Sequence, residues 1–416
     1  MLRKYVRVIE DLLGDGRTLK QVTEELEVMF GPRRGLSYSR VKAVAAKLKL
    51  RRSERVTDKE LAAAVAEAVE KLGPGYGKVL VKGWLRSRGI VAGRERIGAV
   101  LRKFDPEATI ARKQECEKKV RPGKYYCQRF NYTHHMDQCE TVNMFGCIVF
   151  MEVDGLSQFI TGWTVLTGKD NVAVYEEVYR LGFLCAHLVV DGGNEWRLCL
   201  HVQELLQNLW YPGLSYTRAA WREVSSTDNT RIETMWRYVN RLILRPVKRA
   251  MRALLRHFGF RGENAVHHFA MAAVTRLLVC YGMTVFEDSW NNHYMKGFGL
   301  VEDSLNYNNA PLPSKSEVPD GYEAVQSYAA SKTYKHFGGF RPQSSAGIDP
   351  VSHLPPVMAE RDHLFFEEVH KLGGVERVFG DAVNYDYESC HWLVKFLVDS
   401  SMALHRDHVA KARATI

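Results

Sequence analysis

The chain has no C-x-x-C pair, no run of eighteen apolar residues, and no apolar core in its first stretch, M-L-R-K-Y-V-R-V-I-E. The first absence removes the commonest zinc and redox motifs. The eight cysteines (Cys116, Cys127, Cys139, Cys147, Cys185, Cys199, Cys280 and Cys390) sit mostly in apolar runs and read as buried free thiols of a reducing compartment. The other two absences predict no membrane span and no secretory signal, hence an intracellular protein. Acidic residues run short in one region. Residues 1–130 hold 31 Lys+Arg against 16 Asp+Glu, whereas the remaining 286 hold 27 against 32. The net charge of +10 therefore belongs to the N-terminal third, as expected of a part that meets phosphate. A hydrophobic content of 46% and an aromatic content of 11% exclude a disordered chain. A length of 416 residues suggests two or three domains.

The N-terminal third patterns as two helical units, 1–55 and 56–105. In the first, residues 1–30 are helical, G-P-R-R-G at 31–35 breaks them, and 36–52 form a basic helix capped by Ser37 or Ser39, with Val41, Val44, Ala45 and Leu48 inward. In the second, helices over 57–72 and K-V-L-V-K-G-W-L-R-S-R are followed by a turn at G-I-V-A-G and a third helix over 94–104. Gly35-Leu36 before the basic helix parallels Gly89-Ile90 before the last one. A short glycine turn introducing a basic helix is the shape of a helix–turn–helix DNA-binding module. Arg40, Lys42, Lys47, Arg94, Arg96 and Arg102 are the candidate DNA contacts. Residues 106–130 are charged and without clear period, and read as a linker.

The stretch Ser225–Asn240 predicts a helix whose apolar face is Ile232, Met235, Trp236 and Val239, with Ser225 to Asp228 as cap candidates. Glu233 lies beside that face. Upstream, Asp137 and Asp191 each lie at or near the end of a strand-like run, 54 residues apart, and Glu233 follows Asp191 by 42. Three convergent carboxylates are the hard oxygen ligands that a pair of Mg²⁺ or Mn²⁺ ions needs. Around them, 146–153 and 158–166 read as a hairpin turned at D-G-L-S, 172–181 as a helix, 186–190 as a buried strand and 197–210 as a helix.

In this order the motifs resemble the DDE transposase and retroviral-type integrase family, and most closely the integrase-core proteins of eukaryotic genomes. Relatives carry W-H-I-D-G where this chain has His134-His135-Met136-Asp137-Gln138, and D-G-Y-S-R where it has Asp154-Gly155-Leu156-Ser157-Gln158. They carry D-x-G-x-E-N where it has Asp191 to Trp196, with Asn194 and Glu195. The block N-x-R-I-E-x-x-W-R-x-V is kept from Asn229 to Val239, and W-N-x-H is kept as Trp290-Asn291-Asn292-His293. The resemblance covers about residues 73–293. It implies a ribonuclease H-like α/β core over 131–300, a mixed five-stranded sheet flanked by helices. That core would follow the all-α helix–turn–helix region and precede a connector, 301–356, and a helical C-terminal part, 357–416.

It further implies Asp137, Asp191 and Glu233 as catalytic metal ligands for two ions, with His135 beside them. Asn229, Arg231 and Arg237 are either phosphate contacts or cap and ion-pair residues. The implied reaction is metal-dependent DNA cleavage and strand transfer between element ends and target DNA, by a homodimer or larger assembly, in the nucleus if the chain is eukaryotic. His134 and Gln158 depart from the relatives' tryptophan and arginine. They are the sequence basis for the alternative, a host-retained DNA-binding protein that has lost the reaction. A ribonuclease H-like nuclease that cleaves without joining is a third reading. Cys116, Cys127, His134, His135 and Cys139 fit none of the usual zinc spacings, and strand alternation sends the two histidines to opposite faces, which disfavours zinc. Residues 241–286 continue as helix with a kink at Pro246, and 265–281 read as a buried segment.

Overall fold

The computed structural model describes residues 5–14, 17–31, 36–48, 50, 56–117, 125–127, 129–182, 184–210, 219–295, 299–301, 317–331 and 346–414. The chain divides into two compact units. The first comprises Met1–Val69, Tyr76–Arg121 and Glu287–Asn309, and the second Glu70–Gly75, Pro122–Phe286 and Ala310–Ile416.

Among the described residues, the first unit is helical apart from a two-stranded ribbon. Helices α1 (Val6–Gly14), α2 (Leu19–Phe30) and α3 (Tyr38–Lys47) share one core of Ile9, Leu13, Val22, Leu26, Val41 and Ala45. Where one helical stretch was expected, the described residues up to Phe30 form two helices. Thr18 opens the second with a reciprocal cap to Gln21. Ser37 takes the N-cap position of α3, though its hydroxyl turns to Ser39 and not to a helix N–H, and Leu48, expected inward, is exposed because the helix ends one residue before it. Most of the turn at 31–35, including Gly35, lies outside the described residues. Helices α4 (Asp58–Leu72), α5 (Lys78–Ser87) and α6 (Arg94–Phe104) form as expected, around buried Leu61, Val65, Trp84, Leu85 and Ile97. Gly89, at φ +73°, takes the left-handed position that ends α5. The expected linker is a correction: Pro106–Glu117 is a further helix, α7, started by the Asp105 side chain accepting from the Ala108 N–H. Proline at the first helical position outweighs the missing apolar period. The linker's 118–124 and 128 lie outside the described residues.

The second unit is built on a mixed five-stranded sheet, order β3-β2-β1-β4-β5. Strands β1 (His134–Cys139), β2 (Ile148–Asp154) and β3 (Ile160–Leu166) run antiparallel in sequence, while β4 (Leu188–Val190) pairs parallel with β1, and β5 (Trp221–Glu223) parallel with β4. In the hairpin turn Asp154 accepts from the Ser157 N–H and hydroxyl at 2.7 Å, and Gln158 stands at φ +57°. β2 is buried on both faces. One face packs Met136, Phe150 and Leu188 against Tyr175, Tyr179, Trp196 and Leu206. Those side chains come from α8 (Asn171–Val174), the π-helical turns Tyr175–Arg180 that continue it, the turn at Asn194–Trp196, and α9 (Arg197–Trp210). The other face receives α10 (Thr230–Val239), whose Asn229 and Trp236 bond to β1.

A π-helical turn, Asn240–Leu244, joins α10 to α11 (Arg245–His257), and its wider circumference lets Leu242, Ile243 and Leu244 all be buried. Pro246, which has no N–H to give, follows directly on this π turn, and the helical run continues through it unbroken from Thr230 to His257. α12 (Ala265–Asn291) is long and apolar enough to cross a membrane by composition, although polar residues such as Thr275 and Arg276 interrupt its apolar run. It is a core helix, with Ala270, Val274, Leu278, Met283 and Phe286 buried. The ribbon of the first unit, β6 (Tyr294–Met295) and β7 (Gly299–Leu300), follows it.

The expected connector 301–356 holds a helix, α13 (Gly321–Ala330), with a cap of Asp320 and Glu323; its 302–316 and 332–345 lie outside the described residues. The expected C-terminal helices are α14 (Pro355–Lys371), α15 (Val375–Val383) and α16 (Glu388–Ala414). Phe150 is fully buried, edge-on to Trp196 with ring centroids 5.7 Å apart. Phe150→Ala should lower the unfolding free energy by about 3–5 kcal/mol, seen as a drop in the urea midpoint.

Candidate active site

Asp137 lies inside β1 and Asp191 just beyond the end of β4. The parallel pairing sets His134 opposite Leu188 and His135 opposite Val189, an offset of 54 residues. The same offset carries Asp137 to Asp191. Neighbouring strands lie about 4.8 Å apart, so this register brings the two carboxylates side by side.

Glu233 is brought to them by a hydrogen-bonded chain at the start of α10. Asn229 is fully buried. Its Nδ2 donates to the Met136 carbonyl at 3.0 Å, and its Oδ1 lies 2.6 Å from His135 Nδ1. The other ring nitrogen of His135 lies 2.8 Å from the Tyr125 hydroxyl. Burial holds the His135 imidazole down at about 4, so the ring is neutral; it donates from Nδ1 and accepts the tyrosine proton at Nε2. One helical face further on, Trp236 Nε1 donates to Asp137 Oδ2 at 2.9 Å. Positions 229, 233 and 236 lie along one helix face. The two flanking bonds to β1 therefore hold Glu233 against that strand. This corrects the expected cap: Ser226–Asp228 form a separate short turn, Asn229 takes the cap position, and its side chain bonds the strand instead of the helix.

The three acids feel one another. Burial pushes the Asp137 carboxyl up to about 7; the Gln138 and Trp236 N–H donors oppose the shift, and the charges of Asp191 and Glu233 add to it. Glu233 is also raised, by burial first and then by Asp191, with Arg237 opposing. Asp191 accepts from Trp196 Nε1 at 2.6 Å. Each Asp137 oxygen accepts one bond, from Gln138 and from Trp236, and keeps a lone pair for another partner. Oxygen-only donors that repel one another and retain free lone pairs fit hard divalent cations such as Mg²⁺ or Mn²⁺. The two indole N–H groups were not singled out in the sequence. Their signal was a tryptophan three residues after Glu233 and five after Asp191.

The other predicted site residues divide. His135 and Asn229 belong to the site. Arg231 stacks 4.1 Å above the Tyr125 ring, and Arg237 is exposed one turn beyond Glu233. Glu195 is buried and tied to Lys169 at 3.5 Å, and Asn194 lines a cavity of about 360 Å³ whose walls include none of the three acids. Of the basic candidates, Arg40, Lys42, Lys47 and Arg102 are exposed. Arg94 lines a cavity of about 490 Å³ with Lys20 and Lys82. Arg96 is instead a tie, donating to the Val56 carbonyl at 2.8 Å and pairing with Asp58.

On the opposite sheet face, His134 Nδ1 lies 2.7 Å from Glu152 Oε1, and its Nε2 lies 3.0 Å from Asn131 Oδ1. With Cys185 these two form a buried group whose ligand-type atoms lie within 4.8 Å of one another and could hold a metal. It shares only His134 with the zinc set weighed from the sequence. In that set Cys139 turns to Thr141 and Asn240, and Cys127 to the Arg129 carbonyl; the side chain of Cys116 lies outside the described residues. The two histidines do part to opposite faces.

No family model matches the chain, and no curated protein matches its sequence.

The Asp137 shift has a sign. Its folded value lies above the ordinary 3.8, so between about pH 4 and 7 the folded protein keeps a proton that the unfolded chain has released. This contribution is full at low pH and is lost as pH rises through the folded value, at up to about 1.4 kcal/mol per pH unit for one proton. In EDTA, Asp137→Asn should therefore flatten the decline in stability from pH 4 to 7 and raise the melting temperature at pH 7.5, as differential scanning fluorimetry across that range would record.

Proposed function

We propose that the chain is a DDE-type transposase or integrase, with a ribonuclease H-like core that cleaves and joins DNA. The observation that carries this reading is the convergence of Asp137 from β1, Asp191 from the end of β4 and Glu233 from α10, in the family's order. The sheet order, with β2 alone reversed and β4 and β5 parallel to β1, supports the ribonuclease H-like assignment. The motif blocks around each acid support it as well.

Asp137, Asp191 and Glu233 would hold two Mg²⁺ or Mn²⁺ ions. When bound, these supply Lewis-acid activation of water or a DNA 3′-hydroxyl and stabilise the leaving oxygen. The protein's own part is placement. Trp236 and Trp196 fix the rotamers of the two aspartates by their indole N–H groups. The neutral His135 transmits the position of Tyr125 to Asn229 without adding charge. Arg237, exposed one turn beyond Glu233, would donate to a phosphate oxygen in this reading. The displacement forms one P–O bond as another breaks. Joining therefore exchanges one phosphodiester for another and needs no external energy source.

Arg40, Lys42, Lys47, Arg94 and Arg102 would hold the element ends. Action on two ends calls for a dimer or larger assembly, and a DNA substrate places a eukaryotic copy in the nucleus. Incubation with Mn²⁺ and branched or terminal-repeat DNA should give nicked and joined products that Glu233→Gln and Asp191→Asn reduce to background. Nicks without joined products would reduce the reading to a nuclease. Salt-sensitive binding, with no cleavage of DNA carrying the element's own ends, would favour the retained binding protein.

A further inference from the structure

The helix that carries Glu233 does not stop at the site. α10, the π turn and α11 follow one another from Thr230 to His257. Over residues 234–262 the sequence has eight Lys or Arg and no Asp or Glu, in a part of the chain whose balance is otherwise acidic. Within α11, Arg245, Arg249, Arg252 and Arg256 recur at steps of four, three and four, and all four are exposed. The opposite face of α11, Val247, Ala250, Met251 and Leu254, is buried.

Arg249 is steadied by Tyr385, whose hydroxyl accepts from it at 2.9 Å while the ring lies 4.4 Å below the guanidinium. Lys248 turns inward to the Thr141 carbonyl at 2.7 Å. Among the described residues, no carboxylate pairs with Arg245, Arg252 or Arg256. Like charges three and four residues apart repel, and a helix surface that only needed solvent would mix its signs. A helix lying on a lipid surface turns its apolar side outward. Here that side is spent on the core, and the outward side carries the four arginines, with His257 beside them at the end.

The geometry points to this arginine face as a binding surface for the phosphate backbone of duplex DNA, separate from the basic residues of the N-terminal helices. It rests on the reading of the carboxylate site as one that acts on DNA. The four arginines lie within twelve residues, about 16 Å of helix from first to last. Their steps of about 4.5–6 Å are bridged by the long arginine side chain to the repeat of a single strand. The duplex would thus be held on the helix that presents Glu233.

The test is equilibrium binding of the full chain to a labelled duplex in EDTA, by fluorescence anisotropy across a KCl series. Each phosphate contact contributes about 0.9 to the slope of log K against log salt. Replacing Arg245, Arg252 and Arg256 together by Gln should cut the wild-type slope by roughly 2 to 3, while the same three changed to Lys should leave it intact. Arg252→Gln alone should remove about 0.9, which keeps the test open should the triple variant fold poorly. An unchanged slope in the Gln variants overturns the proposal. So does wild-type binding to anionic phosphatidylserine vesicles but not to the duplex. A Mn²⁺ cleavage assay on the same proteins separates the two readings. Cleavage with an unchanged slope removes the arginine surface and leaves the chemistry; a reduced slope without cleavage in wild type removes the chemistry and leaves the surface.

Discussion

Everything about the site depends on how α10 docks on β1, and that docking runs through one buried amide. Asn229 makes no cap for its own helix. It spends its Nδ2 on the Met136 carbonyl and its Oδ1 on His135. The strand residues on either side of those contacts are the ones that matter: Met136 precedes Asp137, and His135 shares its face. A neutral imidazole is required for this chain of donors and acceptors to close. Burial, by pressing the ring well below its ordinary range, supplies it. The fold thus uses uncharged hydrogen bonds to place charged groups, so the positioning frame is insensitive to the charge that gathers beside it.

That charge is the opposing constraint. Asp137 is buried against two further acids and is held largely by an indole N–H and a backbone N–H. Neither donor carries a full positive charge, and Arg237 opposes the shift only at Glu233. The site is therefore under electrostatic tension that the surrounding sheet must contain. Phe150 and Trp196 on one face and Asn229 and Trp236 on the other do so by fixing the strands. The same tryptophans serve twice, as core rings and as donors, so packing and polarity are not separable here.

Much of this was legible. The 54-residue gap between the aspartates is a fact of sequence that becomes the register of two parallel strands. The apolar face of α10 is plain in the three- and four-residue spacing of Ile232, Met235, Trp236 and Val239, all buried. Other features were not legible for physical reasons. β5 is three residues, W-R-E, with no alternation to read, and it exists only because β4 offers an edge. α7 and α13 begin from local chemistry, a proline and an acidic cap, in stretches whose composition suggested loops. Arg96 looked like any other basic surface residue, and only the folded position of Val56 and Asp58 turns it into a tie. Asn229 read as either cap or phosphate contact, because a single sequence cannot show that its partner lies 94 residues away.

The π-helical turn at Asn240–Leu244 bears on this in a way its burial alone does not reveal. An unbroken α-helix turns about 100° per residue, so the twelve residues from Glu233 to Arg245 would leave those side chains about 120° apart around the axis. A π turn accommodates one residue more than an α turn and takes back about 100° of that rotation. The wide turn acts as a phase adjuster between two helical surfaces. It swings the arginine row of α11 into approximate line with the carboxylate of α10, while three consecutive side chains, Leu242, Ile243 and Leu244, absorb the irregularity in the core.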